Sequence, residues 1–336
     1  MSVIRQDPTT KEWVILASER SKRPHDATGR SVPGAAHHHE VSCPFCPGNE
    51  QMTPGEIWRV PADQRAPWLV RVVPNKFAAL TPRDNLTRRD EQGLFREMDG
   101  VGFHEVIIET PQHDRFLALM SVKEVERILL AYQLRYLDLE QDPRIRYIIL
   151  FKNHGERAGT SLDHPHSQIV ATPIAPVLLR RKYQVAMAHY DDTGRCLYRD
   201  IVEAELRIKT RLIVETDRYV VFHPFASRAP FETWIVPKSR QPSFGELTAE
   251  DRRDLALVLL QVLRALDRLL GSPAFNYVVH SAPAEDADRP YYLWHIQILP
   301  RVATIAGFEL GSGIFVTTML PEESAASMRG VLAEFK

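Results

Sequence analysis

Two histidines and a carboxamide alternate along one short stretch of this chain, in the order His164, His166 and Gln168. Alternation with a period of two predicts a strand that carries these three side chains on one face. A neutral imidazole is a good nucleophile near pH 7, and a fixed hydrogen bond to its other ring nitrogen selects the tautomer. A surface strand that carries histidines by chance is the competing interpretation. The spacing favours a reactive strand.

The loop before this strand can hold phosphate oxygens. It carries Gly155 and Gly159 and the hydroxyl groups of Thr160 and Ser161, and a glycine-rich turn exposes backbone N–H groups that bind anions. Gln168 can donate an amide N–H to a phosphoryl oxygen without taking part in proton transfer. The loop and the strand together predict nucleophilic catalysis at a phosphorus centre.

The run His164-Pro-His166-Ser-Gln168 resembles the active-site strand of the galactose-1-phosphate uridylyltransferase branch of the histidine-triad superfamily. Hydrolases of that superfamily carry a third histidine where this chain has Gln168, and an amide cannot act as a general acid. The resemblance implies a covalent nucleotidyl-histidine intermediate at His166 that is transferred to a second phosphate rather than to water. The groups expected to bind the non-bridging oxygens are those of Gln168, Ser161, Asn153 and Gly159.

A Cys-x-x-Cys knuckle, Cys43 to Cys46 followed by Pro and Gly, is suited to tetrahedral zinc. A redox pair would need a strand-to-helix context, which the loop-rich flanks do not provide. Two more ligands are required, and they must be histidines because Cys196 is isolated. The candidates are His113 and His164, with His104 as a competitor.

The set Cys43, Cys46, His113 and His164 is also the zinc pattern of the uridylyltransferase family. Four protein ligands leave no open position for water, so the predicted Zn²⁺ is structural. Bound to His164, it would anchor the strand that carries His166. An unmetallated pair of thiols is the alternative.

Three further segments match positions that contact the substrate in this family. Arg20 and Arg23 resemble an arginine arm that reaches the nucleotide phosphates, although a solvated turn is an equal alternative. Asn75 opens a segment similar to the family's Asn-x-Phe-Ala-Ala-Leu, which lies by the ribose and phosphates. Phe308 and Glu309 match an aromatic–Glu pair that contacts sugar hydroxyls. In relatives the arginine arm crosses to a partner subunit, so the resemblance implies a homodimer.

Other segments are similar to the ADP-glucose phosphorylase-like branch of the family: 102–109, 230–238, 276–281 and 311–315. From the motif strand and the zinc set we expect UDP-glucose as nucleotidyl donor and a hexose 1-phosphate as acceptor. Phosphorolysis of ADP-glucose, with inorganic phosphate as acceptor, is the alternative. A non-catalytic nucleotide-binding protein is an alternative of another class, and Gln168 argues against a nucleotide hydrolase.

The second half of the chain repeats the first, which defines the elements that must position the site. The matching pairs of segments are 69–77 with 218–225, 106–111 with 233–237, the helix after Ser121 with a helix over 249–270, 146–150 with 276–280, and 164–170 with 293–299. This order predicts an α+β fold made of two histidine-triad-like halves, each an antiparallel sheet backed by a helix. We place the catalytic, zinc-bearing half at 1–185 and a degenerate half, which contributes to the sugar-phosphate site, at 186–336.

The second copy has lost part of the reactive pattern. His295 keeps the position of the nucleophile, but Leu293 replaces the equivalent of His164. Some family members hold a second metal here with two histidines, a further histidine and a glutamate. In this chain Gln297 and Lys182 stand at the last two positions, so we predict no second metal.

Composition limits the remaining classes. The 336 residues carry a formal net charge of −1 and are 44% hydrophobic, which gives no reason to expect nucleic-acid binding. There is no apolar run of about 18 residues and no signal-peptide core, so no membrane partner is expected and the cytoplasm is the expected location. The segment 28–40, which includes three consecutive histidines, is expected to be a loop, and the charged segment 84–99 is expected to be a loop or an insertion.

Overall fold

The computed structural model describes residues 2–19, 38–83 and 85–335. Arg20 and Arg23 lie outside the described residues, so the predicted arginine arm stays a prediction. None of the helices in these ranges combines the length and the apolarity that a membrane crossing requires.

Fifteen strands are present in the described ranges. In chain order they are β1 (Val3–Gln6), β2 (Trp13–Leu16), β3 (Trp58–Val60), β4 (Val70–Pro74), β5 (Arg88–Glu91), β6 (Phe95–Met98), β7 (Phe103–Ile108), β8 (Tyr147–His154), β9 (His166–Thr172), β10 (Leu212–Glu215), β11 (Tyr219–Phe222), β12 (Thr233–Pro237), β13 (Phe275–His280), β14 (His295–Pro300) and β15 (Phe315–Thr317).

Six α-helices connect and cover these strands in the same ranges. They are α1 (Val122–Glu140), α2 (Val177–Thr193), α3 (Leu197–Ile208), α4 (Ala249–Leu270), α5 (Gly307–Ser312) and α6 (Pro321–Glu334).

One ten-stranded antiparallel sheet forms the centre of the molecule, in the order β10-β11-β12-β14-β13-β8-β9-β7-β4-β3. Outward from β8 the strands are β9, β7, β4 and β3, and outward from β13 they are β14, β12, β11 and β10. The four inner strands of each series correspond one by one to the segments of the sequence repeat, and β3 and β10 occupy equivalent places at the two edges of the sheet. The predicted duplicated α+β fold is therefore confirmed, and the two copies meet at the β8–β13 pair.

The long helices of the two copies pack against each other on one face of this sheet. Both begin with a capping box, Ser121 with Glu124 in α1 and Thr248 with Asp251 in α4. Their apolar residues, including Tyr132, share one core with the inward residues of both halves of the sheet. Because one core serves both copies, the strand that carries His166 is held by packing from each of them.

Two features differ from the sequence expectations. The segment 84–99, expected to be a loop or an insertion, contains the exposed hairpin of β5 and β6, whose turn places Gln92 and Gly93 at positive φ. This left-handed turn suits a tight hairpin, and the strands were missed because they lack apolar alternation. Helix α2 runs across the predicted division at 185/186, and the position of that boundary stays a prediction.

Candidate active site and metal centre

Strand β9 presents the reactive side chains on the face away from the long helices. It lies between β7 and β8, with His166 opposite Ile108 and Gln168 opposite Val106. Ile169 points to the other face, into the core shared with the helices. The period-two pattern thus gives the face that the sequence predicted for His166 and Gln168, while His164 lies just before the strand.

The ring of His166 is held in one tautomer. Its Nδ1 lies 2.8 Å from the backbone carbonyl oxygen of His164, so Nδ1–H is the donor and Nε2 keeps its lone pair. Within the described residues Nε2 has no hydrogen-bond partner. Burial, with a further contribution from the Lys152 ammonium, lowers the pKa of His166. The imidazole is therefore neutral near pH 7, as a nucleophile must be.

An open cleft of about 960 Å³ adjoins this ring. Its lining includes His166, Asn153 and Ser161, three of the residues that the sequence predicted for the site. Gly159, which closes the preceding turn, has a φ of 86°, in the left-handed region that favours glycine. The cleft offers hydroxyl and amide donors beside an uncharged nucleophile, which suits an anionic phosphoryl group.

Gly155 is required for the path of this loop. Its φ is 80°, and a Cβ atom at this position would lie 2.9 Å from the Cβ of Ala274. The loop therefore packs directly on the connection that leads into β13, and any side chain at 155 would displace it.

The four predicted metal ligands come together. Their ligand atoms, from Cys43, Cys46, His113 and His164, all lie within 4.8 Å of one another. Sγ of Cys46 is 3.5 Å from Nδ1 of His113 and 3.6 Å from Nδ1 of His164. Tetrahedral zinc with ordinary Zn–N and Zn–S bonds separates such atoms by about 3.6 Å. The donor set and its spacing fit a bound metal.

Neighbouring groups set the tautomer and the protonation state of these ligands. Nε2–H of His164 donates to the carbonyl oxygen of Thr110 at 2.8 Å, which leaves Nδ1 free to coordinate. Burial lowers the pKa of His164 to about 4, so the ring is neutral. Burial also raises the pKa of the Cys43 thiol to about 11, and a bound cation would favour the thiolate. His38 and His39, part of the predicted histidine loop, are exposed and outside the cluster.

His104, the competing metal candidate, lies elsewhere. Its Nε2 is 2.7 Å from Oε1 of Gln168, and its Nδ1 accepts the backbone N–H of Ala79 at 3.1 Å. Asn75, a predicted substrate-binding residue, is in the same group, with Nδ2 at 3.4 Å from the Gln168 oxygen. The structure therefore links Asn75 to the active-site strand and assigns His104 to the carboxamide of Gln168.

A buried ion pair behind the nucleophile was not predicted. Nζ of Lys152 lies 2.6 Å from Glu109, and both side chains are almost completely buried. Tyr132 donates to the same carboxylate at 2.9 Å, and Ser167 donates to it as well. The sequence held a signal, because Lys152 follows buried Leu150 by two residues on β8, and a lysine on a core face requires a partner.

Asn276, on the central strand of the second copy, also contributes to this site. Its Nδ2 donates to Oδ1 of Asn153 at 2.7 Å and to the carbonyl oxygen of Ala158 at 2.9 Å. It thus ties β8 and the loop over residues 155–159 to β13. The sequence repeat predicted the strand but not this contact, because the contact depends on the register between β8 and β13.

Phe308 and Glu309, predicted to contact the sugar, lie in α5 with Phe308 53% exposed. The cleft at His166 is lined by other residues in the described part of this chain. The role of the pair stays a prediction.

The second-copy histidine is in a different environment from His166. His295 is completely buried, stacked between His280 and Trp234, with its Nε2 3.4 Å from Nζ of Lys182. Burial lowers the pKa of Lys182 to about 8. The His295 ring is enclosed by these side chains, and among the described residues it is not part of the lining of the cleft at His166.

Comparisons with known proteins match this geometry. A family model described as galactose-1-phosphate uridyl transferase, N-terminal domain, matches residues 1–176, and a model of a domain of unknown function matches residues 119–336. ADP-glucose phosphorylase of Arabidopsis thaliana is 35% identical over 331 residues, which cover 98% of this chain and 92% of that protein. Galactose-1-phosphate uridylyltransferase of Thermotoga maritima is 28% identical, with 98% of each chain covered.

The crystal structure of the Arabidopsis thaliana ADP-glucose phosphorylase with bound ADP-glucose has a TM-score of 0.84 and 33% identity, covering 98% of this chain and 99% of that one. A shared fold over the whole length, with the reactive strand in it, defines a nucleotidyltransferase of the histidine-triad superfamily. This chain belongs to the galactose-1-phosphate uridylyltransferase family. The resemblance seen in the sequence is confirmed.

Proposed function

We propose that this enzyme transfers a nucleotidyl group from a nucleotide-sugar to a phosphate acceptor through a covalent intermediate on Nε2 of His166. The observation that carries the proposal is the hydrogen bond from Nδ1–H to the carbonyl oxygen of His164, which leaves the Nε2 lone pair unpartnered among the described residues. A fixed, neutral imidazole at an open cleft is a nucleophile rather than a general acid.

The reaction takes two displacements. The Nε2 lone pair of His166 attacks the α-phosphorus, the bond from phosphorus to the sugar-phosphate oxygen breaks, and sugar 1-phosphate leaves with that electron pair. An oxygen of the acceptor phosphate then attacks the same phosphorus and returns the pair to Nε2. We propose that Ser161, Asn153 and Gln168 donate hydrogen bonds to the non-bridging oxygens, where charge increases in the transition state. Ser161 and Asn153 line the cleft, and Gln168 lies on the same face of β9 as His166.

For the donor we propose ADP-glucose, with inorganic phosphate as the acceptor. The support is the 35% identity to the Arabidopsis thaliana ADP-glucose phosphorylase over 98% of this chain, against 28% for the Thermotoga maritima uridylyltransferase. The second candidate is UDP-glucose with a hexose 1-phosphate acceptor, which the sequence motifs favoured. It is supported by the family model that matches residues 1–176.

We further propose that the metal is Zn²⁺ and that it is structural. Two thiolates and two imidazoles form a donor set typical of zinc, and four protein donors leave no position for a substrate. The ion would tie Cys43 and Cys46 to His164, whose carbonyl oxygen orients His166. We also propose a homodimer, on the family resemblance of the segment that carries Arg20 and Arg23.

The deciding experiment offers the protein ADP-glucose and UDP-glucose, each labelled on the phosphate next to the nucleoside, and measures acid-labile label on the intact protein. Label from ADP-glucose that inorganic phosphate releases as ADP supports the proposed phosphorylase. Label from UDP-glucose alone, released by hexose 1-phosphate as a new nucleotide-sugar, transfers the assignment to the second candidate. Absence of label from both donors contradicts the proposed function.

A further inference from the structure

A carboxamide can help phosphoryl transfer in only one of its two orientations. Its NH₂ end attracts a phosphoryl oxygen, whereas its carbonyl end repels it. Gln168 and Asn153, the two carboxamides proposed to act on the phosphoryl group, are therefore useful only if something keeps their NH₂ ends forward. A separate set of hydrogen bonds fixes the orientation of each of them.

The orientation of Gln168 is fixed through His104. The backbone N–H of Ala79 donates to Nδ1 of His104 at 3.1 Å, so the ring proton must lie on Nε2. Nε2–H then requires an acceptor, and the group at 2.7 Å is Oε1 of Gln168. The Phe77 N–H donates to Oδ1 of Asn75 at 2.8 Å, which turns Nδ2 of Asn75 toward this group. Nδ2 lies 3.1 Å from Nε2 of His104 and 3.4 Å from Oε1 of Gln168. Because both nitrogens carry hydrogen, neither accepts from the other, and the Gln168 oxygen is the acceptor that they share. The NH₂ end of Gln168 must point away from this group.

The orientation of Asn153 is fixed through Asn276. Arg301 donates to Oδ1 of Asn276 at 2.5 Å, and Nδ2 of Asn276 donates to the carbonyl oxygen of Ala158 at 2.9 Å. Arg301 can only donate and the carbonyl oxygen of Ala158 can only accept. These two partners therefore identify which end of the Asn276 amide is the oxygen and which is the nitrogen. Its second Nδ2 hydrogen bond, at 2.7 Å, must end on Oδ1 of Asn153.

The two carboxamides share the face of the nucleophile. Phe151 of β8 pairs with Gln168 of β9, and the strands are antiparallel. Asn153 lies two residues after Phe151, and His166 lies two residues before Gln168, so all four side chains are on one face. Neither NH₂ group donates a hydrogen bond within the described part of the chain, so both remain available to a ligand.

We propose that His104 and Asn276 are positioning residues that hold the NH₂ groups of Gln168 and Asn153 toward the phosphoryl group. This inference deepens the proposed function and rests on it. Donors whose orientation is fixed before the reaction need no rearrangement as charge develops, and this is the condition under which they accelerate it most. His104 and Asn276 themselves touch neither the substrate nor the reacting atoms.

The first test uses variants that alter orientation and preserve shape. His104→Ala removes the donor to Gln168, whereas His104→Gln can still accept from Ala79 and donate to Gln168. Asn276→Asp keeps the bond with Arg301 and loses both donors. The matched control is Gln133→Glu, because Gln133 likewise accepts from an arginine, Arg252, and donates to two backbone carbonyl oxygens, remote from the site.

The readout separates the chemical step from binding. With the donor that labels the wild type, single-turnover labelling of His166 should slow about a hundredfold in His104→Ala and in Asn276→Asp, with the Kd of the donor changed much less. His104→Gln should recover most of the rate, and Gln133→Glu should label at nearly the wild-type rate even if its Tm falls. Wild-type rates in His104→Ala and Asn276→Asp would overturn the proposal.

A double substitution tests whether His104 acts through Gln168. In a Gln168→Ala background, adding His104→Ala should change the labelling rate by less than about twofold, because no amide remains to be oriented. If the two effects multiply, His104 acts by another route and the inference is wrong.

Failure of the proposed function is distinguishable from failure of this inference. An unlabelled wild type would contradict the function. The orientation would still be decided by the ¹⁵N NMR shifts of the His104 ring, assigned by their loss in His104→Gln. A proton on Nε2 supports the arrangement, and a proton on Nδ1 overturns it, because Nδ1–H would face the N–H of Ala79.

Discussion

The ammonium group of Lys152 donates a hydrogen bond to the backbone carbonyl oxygen of His166, at 3.0 Å. The same ammonium pairs with Glu109 on the helix side of the sheet. The nucleophile therefore has a buried positive charge behind its own peptide group, and that charge contributes to the lowered pKa of His166. The arrangement helps to keep the imidazole unprotonated and fixes the strand that carries it.

Removing one partner of this pair should destabilise the protein strongly. Lys152→Met leaves the Glu109 carboxylate buried without its counterion, and we expect the free energy of unfolding at pH 7 to fall by about 3–5 kcal/mol. Lys152→Met combined with Glu109→Gln should recover most of that loss, as measured by urea denaturation. A double variant as unstable as Lys152→Met alone would contradict this account.

The same pair predicts a sensitivity to acid. Burial alone would raise the pKa of Glu109, but Lys152 and the hydrogen bonds from Ser167 and Tyr132 lower it overall. A carboxyl group with a depressed pKa stabilises the fold fully above the ordinary glutamate pKa of about 4.3, and this contribution is lost as the pH falls through the lower, folded-state value. The variant that combines Lys152→Met with Glu109→Gln has no such carboxyl group. Its free energy of unfolding should therefore fall less than that of the wild type as the pH decreases through this range.

Substitution of the nucleophile should abolish transfer and spare the fold. We expect His166→Gly to lower the rate of nucleotidyl transfer by at least about a thousandfold, because no other group can form the intermediate. Its metal content and far-UV circular dichroism should match the wild type, since the cluster ligands are four other residues. Loss of the metal or of the fold would count against a purely chemical role for His166.

The metal cluster should be required for both stability and activity. Cys43→Ser should reduce the bound metal, measured by plasma mass spectrometry, and lower Tm by at least about 5 °C. Labelling should also slow, because His164 is one of the four residues that could hold the metal and its carbonyl oxygen accepts Nδ1–H of His166. His39→Ala, near the cluster but outside it, serves as the control and should retain the metal. Full metal content in Cys43→Ser would refute the assignment.

A neutral, half-buried histidine predicts a second pH effect. Burial lowers the pKa of His154 to about 4, and its ring packs between Phe116 and Phe275. The unfolded chain binds this proton more tightly than the folded chain does. The contribution of neutral His154 to stability is therefore complete above about pH 6.5, and the free energy of unfolding falls by about 3 kcal/mol as the pH decreases toward 4. His154→Phe should lose less stability over this window than the wild type, whereas the exposed His38→Ala should behave as the wild type does.

Local patterns predicted the parts of this structure that depend on nearby residues. Helix α4 was predicted from the sequence repeat with its observed limits. The structure shows why the limits are local, because Thr248 and Asp251 cap its start and Gly271 ends it in the left-handed conformation. The Cys-x-x-Cys knuckle similarly led to the residues of the metal cluster. Five matching segments in the same order were enough to reveal the duplication.

Contacts across the sheet could not be predicted in this way. The pairing of His104 with Gln168 depends on the register of two strands that are distant in sequence. From the sequence His104 was a metal candidate, because a histidine beside a strand has the same appearance in either role. Asn276 was likewise only a residue in a hydrophobic strand, and its partner is in the other copy.

The pairing of β8 with β13, where the two copies meet, has a consequence for which substitutions affect activity. The second copy retains no open nucleophile, yet its Asn276 lies directly opposite Asn153 in this pairing. Under the proposed role of Asn276, the second copy orients a side chain of the first. A substitution in the second copy would then slow the reaction as a substitution beside His166 does.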